Sequence, residues 1–86
     1  MTATAAFDAA FAAAPLIAIL RGVTPAESVA IATRLHEAGL RLIEVPLNSP
    51  EPFDSIGRIL AALGDRAVVG AGTVTSAAEV RELARI

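Results

Sequence analysis

Three times along this 86-residue chain the same order of signals recurs: a short apolar run, a loop, a Ser or Thr able to cap a helix, and an amphipathic stretch. A glycine closes the first two of these units. The caps are Thr24, Ser49 and Ser76, 25 and 27 residues apart. An apolar run of four or five residues without alternation reads as a strand covered on both faces, and such strands belong to parallel sheets shielded by crossover helices. Repeated βα units with right-handed crossovers predict an α/β fold. A doubly wound sheet sends helices to both faces, whereas a (β/α)₈ TIM barrel keeps them all outside. The even step, and the lack of G-x-G-x-x-G after the first strand, favour the barrel. A closed barrel takes about 200 residues or more. Three strands cannot close one, so residues 1–86 are expected to be part of one barrel domain, with a helix over residues 1–14 and three βα units over residues 15–86.

The units can be placed residue by residue. Residues 2–14 are Ala-rich with Phe7 and Phe11 on one helical face, and the helix must end by Pro15. Residues 16–20 form a buried strand. Thr24-Pro25-Ala26-Glu27 is a capping box with proline at the first helical position. Ser28, Ile31, Ala32, Leu35 and Ala38 make that helix's inner face, and Gly39 stops it. His36 sits at the edge of this face and reads as structural. The second strand is 42–45. A helix then starts at Ser49-Pro50-Glu51, with Phe53, Ile56, Leu60 and Leu63 inward, Gly57 allowing close approach to the sheet, and Gly64 at its end. The third strand is 67–70, followed by a loop at 71–73. A second capping box, Ser76-Ala77-Ala78-Glu79, opens a helix running to the last residue.

Composition excludes several functions. The chain is 55% hydrophobic and 19% charged with a net charge of −2, so it lacks both a disordered composition and a basic footprint for nucleic acid. There is no cysteine and one histidine, which removes disulfides, thiolate chemistry and His/Cys metal sites. The apolar N-terminus carries Asp8 and Pro15 and has no basic leader; its longest apolar run is 12 residues, against the roughly 20 that a membrane span needs. The expectation is a cytoplasmic protein with no membrane partner. All seven basic residues are arginine, so the chain offers no lysine amine.

In barrels and open α/β sheets, ligands sit at the C-terminal ends of the strands. Here those ends carry Arg21, Glu44 and Gly70-Ala71-Gly72-Thr73. Glu44 interrupts the apolar run 42–47, and a carboxylate inside such a run needs a counter-charge, a hydrogen-bond network or a wet cavity. Alternation puts Glu44 opposite Ile43 and Val45; the two apolar residues suit helix packing, which turns Glu44 into the barrel. A carboxylate there can shuttle protons. On these residues alone the alternative is a structural ion pair between Glu44 and Arg21, bridging adjacent strands, with the glycines an ordinary tight strand exit.

Three segments carry a resemblance: Ile17-Ala18-Ile19-Leu20-Arg21-Gly22-Val23-Thr24-Pro25, Ile43-Glu44-Val45-Pro46-Leu47-Asn48-Ser49-Pro50 and Val69-Gly70-Ala71-Gly72-Thr73-Val74. Together they resemble the opening βα units of the 2-keto-3-deoxy-6-phosphogluconate/galactonate aldolases, class I enzymes on a (β/α)₈ barrel, usually homotrimers. On this resemblance, residues 1–86 are the N-terminal part of the domain, with the first three βα units of the barrel over residues 15–86. The Pro-Leu-Asn-Ser-Pro exit, with arginine ending the first strand, resembles the 2-dehydro-3-deoxy-6-phosphogalactonate branch. The gluconate branch typically carries its carboxylate-binding arginine where this chain has Asn48.

The resemblance implies cleavage of a phosphorylated keto-deoxy sugar acid to pyruvate and glyceraldehyde 3-phosphate, with no metal or cofactor. It implies Glu44 as general acid/base, Arg21 on the pyruvate carboxylate, and Thr73 with the backbone around Gly72 orienting the same group. The family's Schiff-base lysine lies on the sixth strand and its phosphate loops follow the seventh and eighth, so these residues alone are expected to be inactive. Alternatives are the gluconate-type aldolase, a non-catalytic barrel fragment, and another phosphate-binding barrel of the thiamin-phosphate-synthase kind. Three strands with helices on one side also leave an apolar inner face and two open edges, which favours association.

Overall fold

The computed structural model describes residues 2–86. The order of elements is α1 (Ala3–Ala13), β1 (Ile17–Ile19), α2 (Pro25–Glu37), β2 (Leu42–Pro46), α3 (Pro52–Leu63), β3 (Val68–Gly72) and α4 (Ala77–Leu83). The three strands form one parallel sheet in the order β1-β2-β3. This is the α/β alternation that the repeated signals predict. Strand register sets the rows across the sheet: Ile17↔Leu42↔Val68 and Ile19↔Glu44↔Gly70 lie on one face, and Ile43↔Val69 and Val45↔Ala71 on the other.

The core lies on the second face. Ile43 and Val45 pack with Ala32 of α2 and with Ile56, Ile59 and Leu63 of α3, and partly buried Leu83 of α4 packs against this cluster. Burying each of these large aliphatic side chains stabilises the fold by roughly 1.5–3 kcal/mol. The opposite face is covered only at its lower end, where Phe7 of α1 meets Ile17, Leu42 and Val68 around a hollow of about 140 Å³. This corrects the expectation of a fully buried first strand. Ile17 and Ile19 stay 49% and 56% exposed, because they lie on the open face of an edge strand, and it is Leu20 and Val23 beyond it that turn into the core.

Several helix details also depart from the sequence reading. On α2, Ser28 and Ala32 are buried but Ile31 is 38% exposed; it borders the β1 exit instead of the core. Glu27 Oε1 accepts from the Thr24 N–H at 2.9 Å, as the capping box requires, and Gly39 takes φ +108, which glycine adopts without steric cost. The start of α3 is Pro52, not Ser49. Glu51 precedes that proline, which disfavours the helical region for it, and its φ of 43 is left-handed. Ile59, fully buried, is the inward residue that the periodicity reading omitted. Gly57 does not face the sheet; a Cβ there would meet the Ile86 side chain.

The third strand runs from Val68 on to Gly72, so Ala71 and Gly72 are strand residues and not loop. The last helix ends at Leu83, with Ala84 capping it, instead of continuing to the last residue. At its start Ser76 Oγ accepts from the Glu79 N–H, but the Glu79 carboxylate closes onto Thr75, not onto the cap itself. The Thr75 backbone N–H, aided by the Thr75 and Ser76 hydroxyls, holds the Glu79 carboxyl below its ordinary range. That cap is therefore present at neutral pH and is lost only as the pH falls through the lowered value.

Ser55, fully buried on α3, has a hydroxyl without a hydrogen-bond partner among the described residues. Such a group carries a desolvation cost of about 1–3 kcal/mol. Ser55→Ala is accordingly expected to leave stability unchanged or raise it by about 1 kcal/mol in a urea melt. A loss of about 2 kcal/mol would mean that the hydroxyl does bond in solution.

Candidate functional site

The site is built at the C-terminal ends of the strands. Glu44 reaches it from β2, the central strand, whose hydrophobic neighbours Ile43 and Val45 are pinned against α2 and α3. Strict alternation then leaves Glu44 no choice of face. It lies half-buried on the open inner side, bordering the hollow with Leu42, Gly70 and Phe7. Its backbone is held by the ladder: the Glu44 carbonyl accepts from the Leu20 N–H at 2.9 Å. Its carboxylate has neither a hydrogen bond nor an ion pair among the described residues.

Pro46 ends the same strand without breaking the sheet. In a parallel ladder its missing N–H would face the Leu20 carbonyl, and that carbonyl already accepts from Val23 in the turn after β1. On the other side the Leu47 N–H donates to the Gly72 carbonyl at 2.9 Å, which keeps β2 and β3 together up to the rim.

Gly72 and Glu44 are shaped to each other. A Cβ placed on Gly72 would collide with both the carboxylate carbon and an oxygen of Glu44, whereas one on Gly70 would meet nothing. The second glycine of the exit thus clears the volume that the carboxylate occupies. Thr73 follows at φ 55, exposed, in a left-handed conformation that a β-branched residue adopts only at a cost. Strain of roughly 1–3 kcal/mol is retained where the surroundings dictate it, commonly at functional sites.

Arg21 stands at the same rim but is not paired with Glu44. The ion pairs among the described residues are Arg58–Asp54, Arg66–Asp65 and Arg85–Glu82, each between near neighbours in sequence. The alternative of a structural Glu44–Arg21 bridge is therefore not what the structure contains. Arg21 Nη1 instead donates to Asn48 Oδ1 at 3.0 Å, and the Gly22 N–H donates to Ser49 Oγ, also at 3.0 Å. Ser49 is a rim residue and not the helix cap that its sequence position suggests. The missed signal is Pro52, which moves the helix start three residues on and frees Ser49 to bond elsewhere.

Glu44, Arg21, Gly72 and Thr73 thus all lie at one end of the sheet, Glu44 directly against Gly72, and Arg21 toward Asn48. No group of three or more His, Asp or Glu residues suited to holding a metal occurs among the described residues. Nor is any described helix long and apolar enough to cross a membrane. His36 remains structural: Arg41 Nη1 reaches its carbonyl at 3.3 Å, at the opposite end of α2 from the rim.

Known proteins place this geometry in context. A family model described as "Aldolase: KDPG and KHG aldolase" matches residues 7–85. The chain is similar to 2-dehydro-3-deoxy-6-phosphogalactonate aldolase of Escherichia coli (strain K12), at 50% identity over 72 residues, or 84% of this chain and 35% of that protein. A probable 2-dehydro-3-deoxy-6-phosphogalactonate aldolase of Rhizobium meliloti (strain 1021) is 46% identical over 72 residues, 84% of this chain and 34% of its own length. A solved structure described as "Native KDPGal structure" superposes with a TM-score of 0.81 at 51% identity, covering 83% of this chain and 34% of that one. A cube-shaped protein cage designed by fusing symmetric oligomeric domains also contains the fold, with a TM-score of 0.79 at 49% identity over 80% of this chain and 26% of that one. The chain spans about a third of the length of these curated relatives. With the family model covering nearly every residue and the match extending from sequence to structure, the chain belongs to the KDPG and KHG aldolase family.

Proposed function

We propose that these residues are the opening three βα units of a (β/α)₈ barrel domain, in a class I aldolase that cleaves 2-dehydro-3-deoxy-6-phosphogalactonate to pyruvate and glyceraldehyde 3-phosphate. The observation that carries the reading is Glu44: a carboxylate on the open face with no hydrogen bond or ion pair among the described residues, with Gly72 clearing room for it and Arg21 at the same rim. Both curated relatives carry the galactonate name, which favours that substrate over its gluconate epimer.

In this reaction a lysine amine outside these residues forms a Schiff base with the substrate's keto carbon. Glu44 takes the proton from the hydroxyl on the carbon that becomes the aldehyde. The bond between that carbon and the neighbouring methylene breaks, and its electron pair is held by the iminium as an enamine. Glu44 then returns the proton to the enamine carbon, and water releases pyruvate. Arg21 presents a fork of donors to the pyruvate carboxylate, for which a guanidinium is geometrically suited. Thr73 and the Gly72 backbone orient the same group. The phosphate is held elsewhere in the barrel. The enzyme is a cytoplasmic homotrimer; a cage assembled from symmetric oligomeric domains that include this fold supports self-association.

The test is borohydride reduction in the presence of pyruvate. The full-length polypeptide should gain a covalent adduct by mass spectrometry, and a peptide of these 86 lysine-free residues should gain none and show no retro-aldol turnover. Turnover by the lysine-free peptide would end the Schiff-base reading. Absence of an adduct on the full-length polypeptide would favour a non-catalytic barrel. Equal kcat/KM on the two epimeric substrates would remove the galactonate preference.

A further inference from the structure

The two residues after Leu47 both reach across to the turn after β1, and they do so at different points. Residues 20–23 form that turn: the Val23 N–H donates to the Leu20 carbonyl at 3.2 Å and Gly22 has φ +82, the pattern of a type II turn with Arg21 and Gly22 at its corners. Buried Ser49 takes the Gly22 N–H, which fixes the main chain beside Arg21. Asn48 takes a terminal nitrogen of the Arg21 guanidinium, which fixes the tip. An arginine on a loop has four free side-chain torsions; here the main chain at its base is anchored through Gly22, and its exposed tip has one partner, Asn48.

The choice of partner matters as much as the anchor. A guanidinium carries only donors, so the Asn48 amide must turn its oxygen toward Arg21. That oxygen is neutral. It orients the cation without cancelling the charge, and neither Glu44 nor Glu27, which borders the same hollow as Arg21, forms an ion pair with it among the described residues. An aspartate in place of Asn48 would hold Arg21 more strongly and neutralise it.

We propose that Asn48 and Ser49 are positioning residues that aim the Arg21 guanidinium at an incoming carboxylate. The proposal rests on the reading of Arg21 as the carboxylate-binding residue. It is tested in the full-length polypeptide by steady-state kinetics on Asn48→Ala, Asn48→Asp, Arg21→Ala and the Asn48→Ala/Arg21→Ala double variant. Asn48→Ala raises KM about tenfold with kcat little changed, as expected for one charge-assisted hydrogen bond lost from binding. Asn48→Asp raises KM as well, by neutralisation. In the Arg21→Ala background Asn48→Ala has no further effect. An equal effect of Asn48→Ala in both backgrounds, or a KM that it leaves unchanged while Arg21→Ala raises it, overturns the proposal.

A KM unmoved by Arg21→Ala would instead refute the carboxylate-binding role of Arg21. Positioning is then read directly from the Arg21 side-chain nitrogen NMR signals. Slow rotation of the guanidinium in the parent protein that becomes free in Asn48→Ala upholds the clamp. Identical signals in the two proteins overturn it.

Discussion

Glu44→Gln in the full-length polypeptide is expected to lower kcat/KM about a thousandfold, within the roughly 10²–10⁴-fold range of a lost general acid/base. The fold does not depend on this carboxylate. It carries no hydrogen bond or ion pair among the described residues, and its strand is held by Ile43 and Val45 on the opposite face. Glutamine preserves shape and volume, so Tm should be within a degree or so of the parent, the usual outcome for a substitution that removes no packing or bonded partner. A large loss of activity with intact stability is the signature of a chemical role. Activity within a few-fold of the parent would remove Glu44 from the proton transfers, whatever its position on the inner face.

Gly72→Ala is expected to reduce kcat/KM by about 10–100-fold with a stability change within about 1 kcal/mol, while Gly70→Ala stays near the parent on both measures. The two glycines stand two residues apart on the same strand and on the same face of the sheet, yet only Gly72 lies against the carboxylate. The added methyl does not strike backbone. It strikes the end of a flexible side chain, which can swing away at little cost to the fold but loses its placement over the site. The pair is an internally controlled comparison: strand propensity and face are shared, and contact with Glu44 is the difference. Equal activities for the two variants, each with a parent-like Tm, would show that the position of the Glu44 carboxylate near Gly72 is unimportant for turnover.

Legibility from sequence divides by the range of the interaction. Thr24 with Glu27, Gly39 and Pro15 act within four or five residues along the chain, and each ends or starts its helix as read. The face taken by Glu44 was equally readable, since a strand has a period of two and its neighbours demand burial. The start of α3 was also local but misjudged, because Ser49-Pro50 mimics a cap while Pro52 two residues later excludes Glu51 from the helix. Ile31 was assigned inward by helical spacing. Its exposure depends on how far β1 extends, and that is a property of the sheet.

The chain's order of residues was sufficient to determine three parallel βα units, the rim on which Arg21, Glu44, Gly72 and Thr73 gather, and the absence of a lysine amine from these residues. These follow from periodicity, turn chemistry and composition, which are carried by neighbours in sequence. Only the folded arrangement decided that Arg21 bonds Asn48 and not Glu44, that Ser49 ties down the Gly22 turn, and that Gly72 is small because a carboxylate lies over it. Each of those contacts joins residues about 27 positions apart. Whether such groups meet depends on strand register and on the distance between strand exits, quantities that exist only once the helices have drawn the three strands into one sheet.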